Sequence, residues 1–247
     1  GNPDPQNAAA VIESINRAVG FCLDGTAGAT VTNPIQKSSL QKSGLFDFPG
    51  HTEYLAHITN AEKPPVMMLA AKDLRVVPLT IHMALKDVAG VITKDLICKT
   101  ARTIHAALQK DFGLPSPRIA VAGLNPHAGE GGAFGREEID TILPAIEALR
   151  AEGIAVNGPY SADTMFHEEA RSQYDAALCM YHDQALIPLK TLDFHSGVNL
   201  TLGLNVIRTS PDHGTALAIA GKGIANHQSL VQAMLFADDM VKKRREG

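Results

Sequence analysis

The sequence predicts an α/β protein of alternating strands and helices, and three observations carry that prediction. Short apolar, β-branched runs alternate with amphipathic stretches of helical spacing. A glycine-rich loop, GLNPHAGEGGAFG at residues 123–135, joins one such run (117–122) to one such helix (136–152). It therefore sits at the C-terminal end of a strand, where open α/β sheets place ligands. Third, three separate strand-like runs each deliver a histidine: LRVVPLT leads to His82, PRIAVA to His127 and AALCMY to His182.

In chain order, a polar lead-in (1–6) gives way to a helix over 8–23, with Asn7 at its cap and Gly25 closing it. ATVT (29–32) reads as a strand, turned by NPIQK into a short helix around 38–42. A second helix starts at PGHTE, so His51 and Thr52 fall in a first turn, where free N–H groups and the helix dipole favour an anion. Segments 65–70 and 75–80 form a hairpin or edge pair. The longest helix covers 92–112 with Thr93 as cap, and His105 inside it is a packing or surface residue. After helix 136–152, IAVN (154–157) is a strand, and Asp163 stands where it would cap the next helix. A helix-like segment 183–189 presents Lys190, and strand 197–204 carries Asn199, with Arg208 beyond its end. Two glycine-punctuated loops, 210–215 and 221–226, flank a short helical turn, and a basic-ended amphipathic helix covers 228–245.

Composition narrows the function. The 247 residues are 45% hydrophobic and 19% charged, with a formal net charge of −4, giving no general attraction to nucleic acid or anionic membrane. Aromatics are only 5% and tryptophan is absent, which argues against stacking platforms for bases. No run is long enough to span a bilayer. Cys22, Cys98 and Cys179 are odd in number and far apart, which suits reduced thiols in a cytoplasmic protein.

Three imidazoles at strand ends on one sheet edge suit Zn, Co, Ni or Fe, with open positions for catalysis. Thr32, Asn33 and Lys37 lie at another strand end. Lys190, Asn199 and Arg208 have the chemistry of a phosphate pocket, because arginine forks onto phosphate and lysine supplies a point charge. GKGIAN at 221–226 matches half of a dinucleotide motif, with Asn226 in place of the third glycine.

Six segments together identify a family: TNPIQK (32–37), GHTE (50–53), GLNPHAGEGG (123–132), ADTMF (162–166), MYHDQ (180–184) and RTSPDHGT (208–215). With them the chain resembles the 4-hydroxythreonine-4-phosphate dehydrogenase family of vitamin B6 biosynthesis, from about residue 7 to its end. The resemblance implies an isocitrate/isopropylmalate dehydrogenase-like α/β fold, one chain of two interleaved subdomains with the active site in the cleft between them. It implies that His82, His127 and His182 bind one divalent metal, zinc first, with cobalt, manganese or magnesium as alternatives. It implies that His51, Thr52, Lys190, Asn199 and Arg208 hold a phosphorylated substrate, and that His213, Gly214, Thr215 and Asn226 hold NAD(P). It further implies a homodimer in which the partner contributes the histidine matching His182. Lys37 and Asp163 are the expected proton acceptors. Family members carry an N-terminal portion before the point matching Asn7, which is expected to be missing here. Ala133 and Gln36 stand where some members have histidine, or histidine and asparagine, so substrate choice is a point of difference. The implied reaction is oxidation of 4-phosphooxy-L-threonine followed by β-decarboxylation. The alternatives are a dehydrogenase of four-carbon sugar-acid phosphates or aromatic cis-dihydrodiol carboxylates, and, from another class, a three-histidine zinc hydrolase.

Overall fold

The computed structural model describes residues 1–246. In chain order the elements are α1 (Ala8–Leu23), β1 (Ala29–Val31), α2 (Lys37–Lys42), α3 (His51–Ile58), β2 (Val66–Ala71), β3 (Leu74–Pro78), α4 (Leu85–Val91), α5 (Lys94–Phe112), β4 (Arg118–Ala122), α6 (Leu143–Ala151), β5 (Ala155–Tyr160), α7 (Glu168–Arg171), β6 (Ala176–Cys179), α8 (His182–Leu192), β7 (Val198–Leu202), β8 (Ile207–Pro211) and α9 (Gln228–Glu246). Two compact units divide the chain: the first takes Gly1–Pro65 and His195–Glu246, the second Val66–Phe194. No helix among the described residues is long and apolar enough to cross a membrane.

In the second unit the strands run in the order β2-β3-β6-β4-β5. β2 and β3 form the expected antiparallel hairpin, while β3, β6, β4 and β5 are parallel neighbours. Leu69, Leu74, Val76, Ala120, Ala177 and Cys179 share a buried cluster with Ala185, Leu186 and Leu189 of α8. The intervening residues Met68, Ala70, Val77, Ile119, Val121 and Leu178 point to the other face and are buried too. Cover on both faces explains why these strands read as continuous apolar runs rather than alternating ones. α5 lies against β2, β4 and α6. Its start is fixed by Thr93, whose hydroxyl accepts from the Leu96 N–H at 3.1 Å, and Gly113 ends it at φ 65°.

In the first unit β8 lies between β1, parallel to it, and β7, antiparallel. α9 packs on β8, β1 and β7, and Thr209 of β8 donates to the Ala233 carbonyl at 2.8 Å. A second apolar cluster joins Ile15 and Val19 of α1, Leu40 of α2, Tyr54 and Leu55 of α3, and Leu204 and Val206.

Four sequence expectations are corrected. Arg208 does not follow a strand end; it lies within β8, whose five residues are all buried. A charged residue and a proline in IRTSP hid that strand from a hydrophobic pattern. The helix expected over 136–152 is split, with a π-type turn at Glu138–Ile142 before α6. Pro144 has no N–H to give, so the ordinary helical register is interrupted there. α4 was not foreseen. Asp163 caps no helix: His167 caps α7, its ring nitrogen accepting from the Ala170 N–H at 3.4 Å.

Candidate functional site

Because β3, β6 and β4 are adjacent and parallel, their C-terminal ends share one edge, and His82, His182 and His127 follow from it. His82 and His182 come close, their ring centroids 6.1 Å apart. His182 opens α8 rather than ending a strand, and its Nδ1 lies 2.7 Å from the Asp183 carboxylate. The carboxylate only accepts, so Nδ1 is the donor in this contact. His127 is exposed, 6.4 Å from the Phe134 ring by centroids. Among the described residues no three His, Cys, Asp or Glu side chains gather as a metal-binding group. The convergence of the three strand-end histidines on one point is therefore not achieved within one chain.

His127 opens a left-handed turn, with φ values of 51° (His127), 50° (Ala128), 81° (Gly129), 43° (Glu130) and 62° (Gly131). Left-handed backbone costs an L-residue roughly 1–2 kcal/mol, and three of these five are not glycine. Two buried side chains that sequence reasoning passed over hold the turn in place. Glu138, 2% exposed, accepts from the Leu124 and Asn125 N–H groups, both at 2.7 Å, and from the Asn125 amide at 3.0 Å. Gln184 accepts from the Met180 N–H at 2.7 Å and donates to the Gly123 carbonyl at 2.8 Å, tying the end of β6 to the end of β4. A hollow of about 780 Å³ runs beside them, lined by His127, Ser161, Asp163, Phe166, Tyr181 and Ile187, among others. Asp163 accepts from the Ser161 hydroxyl at 2.6 Å. That bond holds its carboxyl below the usual carboxylate range, and the nearby His127 adds a smaller pull. His105 lies within α5, as expected.

The first unit buries an arginine among threonine hydroxyls. Arg208 is 5% exposed. Its guanidinium donates to Thr32 Oγ1 from Nε (3.2 Å) and Nη2 (2.8 Å), and from Nη1 to Thr201 Oγ1 at 3.0 Å. No carboxylate pairs with it among the described residues, and burial pushes its pKa down to about 10, which leaves it charged at neutral pH. His51 Nδ1 stands 3.5 Å from Nη2, and His51 Nε2 is buried without a partner. A buried cation thus lies among hydroxyls and an imidazole, beside a ring nitrogen that has no partner. Thr52 follows His51 in the first turn of α3, where Gly50 provides no side-chain cap. Asn199 is half-buried on β7, opposite Ser210. Thr32, His51 and Thr215 line a cleft of about 740 Å³. Lys37, the exposed first residue of α2, is not among its lining residues.

Burial, and secondly the Arg208 charge, hold the His51 pKa down to about 3, against an ordinary 6.5. The unfolded chain thus binds a proton that the folded chain excludes. Stability present above pH 6.5 is lost as the pH falls toward 3, with about 2 kcal/mol gone by pH 5. In urea titrations at pH 7 and pH 5, His51→Gln is expected to lose about 2 kcal/mol less than the parent. Equal losses would remove His51 as the cause.

In the second unit Lys190 sits within α8, its Nζ 5.4 Å from the Phe194 ring centroid. In the first, His213 and Gly214 are exposed, Thr215 donates to the Gln36 side chain at 3.0 Å, and Asn226 accepts from the Gln228 N–H at 2.9 Å.

The family model for pyridoxal phosphate biosynthetic protein PdxA matches residues 1–237. The chain is 56% identical over 243 residues to 4-hydroxythreonine-4-phosphate dehydrogenase of Roseobacter denitrificans, covering 98% of this chain and 74% of that one. It is similar to the crystal structure of the Klebsiella pneumoniae enzyme of the same name, at 40% identity and TM-score 0.89, covering 97% and 73%. In fold alone it is similar to isocitrate dehydrogenase of Methylococcus capsulatus, at 13% identity and TM-score 0.50, covering 87% and 69%.

Proposed function

The chain belongs to the family of pyridoxal phosphate biosynthetic protein PdxA, and from that premise we propose that it oxidises 4-phosphooxy-L-threonine with NAD(P) and a divalent metal. It is an oxidoreductase of pyridoxine biosynthesis. The observation that carries the choice of a phosphorylated substrate is Arg208, buried and charged with threonine hydroxyls and the His51 ring, but no carboxylate, for partners among the described residues. Thr32 and Thr201 fix the plane of its guanidinium, so its remaining N–H groups are oriented for a bidentate anion. His51, neutral at physiological pH, offers Nε2 as a further donor or acceptor without adding charge. Thr52, Asn199 and Lys190 complete the proposed substrate contacts, and His213, Gly214, Thr215 and Asn226 the proposed cofactor contacts.

The donor set at the strand ends suits a divalent metal, zinc first: three imidazoles, one of them with its tautomer set by Asp183. The resemblance to the family supports a homodimer in which the partner's His182 completes the set with His82 and His127, and the three do not gather as a metal-binding group among the described residues of one chain. A bound metal supplies Lewis acidity that lowers the pKa of the substrate's secondary hydroxyl. A nicotinamide cofactor held by His213, Gly214, Thr215 and Asn226 would accept the carbon-bound hydrogen as hydride. The hydroxyl proton passes to Asp163 or Lys37; the Asp163 carboxyl, held below the usual carboxylate range, is ionised at neutral pH, as an acceptor must be. The resulting β-keto acid loses CO₂ and takes up a proton, giving 3-amino-2-oxopropyl phosphate. Three free thiols suit a cytoplasmic setting.

Incubating the chain with 4-phosphooxy-L-threonine, NAD⁺ and zinc tests the reading. NADH and CO₂ formed in equal amounts support it. Substrate consumed without nicotinamide reduction would transfer the protein to the hydrolases.

A further inference from the structure

We propose that Glu138 is a positioning residue, the buried carboxylate that holds His127 in its ligating pose; this rests on the metal reading above. Glu138 lies in the π-type turn after the loop, eleven residues beyond His127 in sequence. Its Oε1 takes the consecutive Leu124 and Asn125 N–H groups, and Oε2 takes the Asn125 side-chain amide. These are the residues through which the chain leaves β4 and enters the left-handed turn that starts at His127. The loop is shaped around the carboxylate from the other side too. A Cβ at Gly129 would come within 2.6 Å of Glu138 Oε2, and one at Gly123 within 2.9 Å of the Ala128 Cα. Both glycines, which the sequence presents as flexible loop residues, are therefore where the carboxylate and backbone need the space of a side chain. Glu138 is buried and its partners are all protein groups, so its influence passes through the backbone to His127 and not through contact with substrate.

The consequence is a split between stability and metal affinity. Glu138→Gln keeps the shape of the side chain but turns an NH₂ toward the Asn125 amide or toward the two backbone donors. A carboxylate bond is thereby lost at the hinge of the loop, and the bulk of the unit is left as it was. Losing a group that bonds a metal ligand directly typically costs about 10–100-fold in metal affinity, and Glu138, which acts on His127 through the backbone, sets the lower end of that range as its expected effect.

The test is a Co²⁺ titration of the full chain, read by the visible absorption of cobalt bound to imidazole, with circular dichroism and thermal melting alongside. Glu138→Gln is expected to bind Co²⁺ about 10-fold more weakly with a native dichroism spectrum. As a measure of mere destabilisation, Arg118→Gln removes an ion pair with Asp175 at the opposite end of β4. It should lower the melting temperature without moving the Co²⁺ affinity. Wild-type affinity in folded Glu138→Gln overturns the proposal. If Glu138→Gln does not fold, Asn125→Ala decides, because it removes the side-chain donor that Glu138 Oε2 shares with the Glu137 carboxylate and leaves both backbone bonds to Glu138. Several-fold weaker Co²⁺ binding then supports the proposal, and unchanged binding overturns it. His127→Ala separates the two levels. If it retains the cobalt spectrum, the metal reading falls and takes this inference with it. If it loses the spectrum while Glu138→Gln behaves as wild type, the inference alone is wrong.

Discussion

His127→Ala is expected to lose its bound metal and to lower turnover on the order of 10³-fold or more, a loss of about 4 kcal/mol of transition-state stabilisation. Folding should be nearly untouched, since the side chain is exposed and removes no buried contact. Elemental analysis of the purified variant, with a thermal melt, checks both halves. The His105→Ala control should retain metal and turnover, because that histidine belongs to α5. Mixing then tests the assembly. His127→Ala and His182→Ala are each inactive alone, but in a mixed dimer with a shared site one centre carries both changes and the other neither. Random exchange makes roughly half the dimers mixed, so about a quarter of all centres become intact. No recovery after demonstrated subunit exchange would mean that each chain completes its own centre.

The sequence exposes different layers of this protein to different depths. Helix α5 was legible to its cap, because Thr93, a period of apolar residues and Gly113 are all local signals and all agree. That β3, β6 and β4 end together was anticipated from three histidines following three apolar runs, although strand order is a long-range property that no local pattern encodes. β8 was missed for the opposite reason. A hydrophobic pattern assumes that charge faces water, and Arg208 is buried, so the charged residue disguised its own strand. Glu138 and Gln184 were invisible for a related reason. An acid at a helix start and a glutamine after His-Asp look like ordinary surface residues. Only the fold shows that each fills its bonds with backbone groups of another element. The left-handed turn at His127 left a trace in the loop's many glycines, but those glycines do not say which neighbours share their conformation.

Arg208→Met is expected to abolish recognition of the phosphorylated substrate while leaving the fold as stable as before, or more so. The guanidinium is 5% exposed and meets hydroxyls but no carboxylate among the described residues. Its burial is a cost to the folded state, visible in a pKa pushed down to about 10. Replacing buried charge by an apolar side chain of similar length is commonly neutral or stabilising by about 1–4 kcal/mol. Thr32 and Thr201 lose a donor, but a hydroxyl can rotate to another acceptor. Binding should move the other way: charge-assisted bonds contribute roughly 1.5–3 kcal/mol each. Loss of a bidentate pair therefore raises KM for the phosphorylated substrate by about 10²–10⁴-fold. Arg208→Lys should fall between, since a point charge remains but the fork does not. NAD affinity, measured separately by fluorescence titration, should stay within a few-fold of the parent in both variants. A fall in stability with Arg208→Met at unchanged KM would make Arg208 a structural cation. A loss confined to NAD binding would move it to the cofactor site. The expected pattern, substrate binding lost and stability kept, belongs to a charge that the fold tolerates only because the substrate neutralises it.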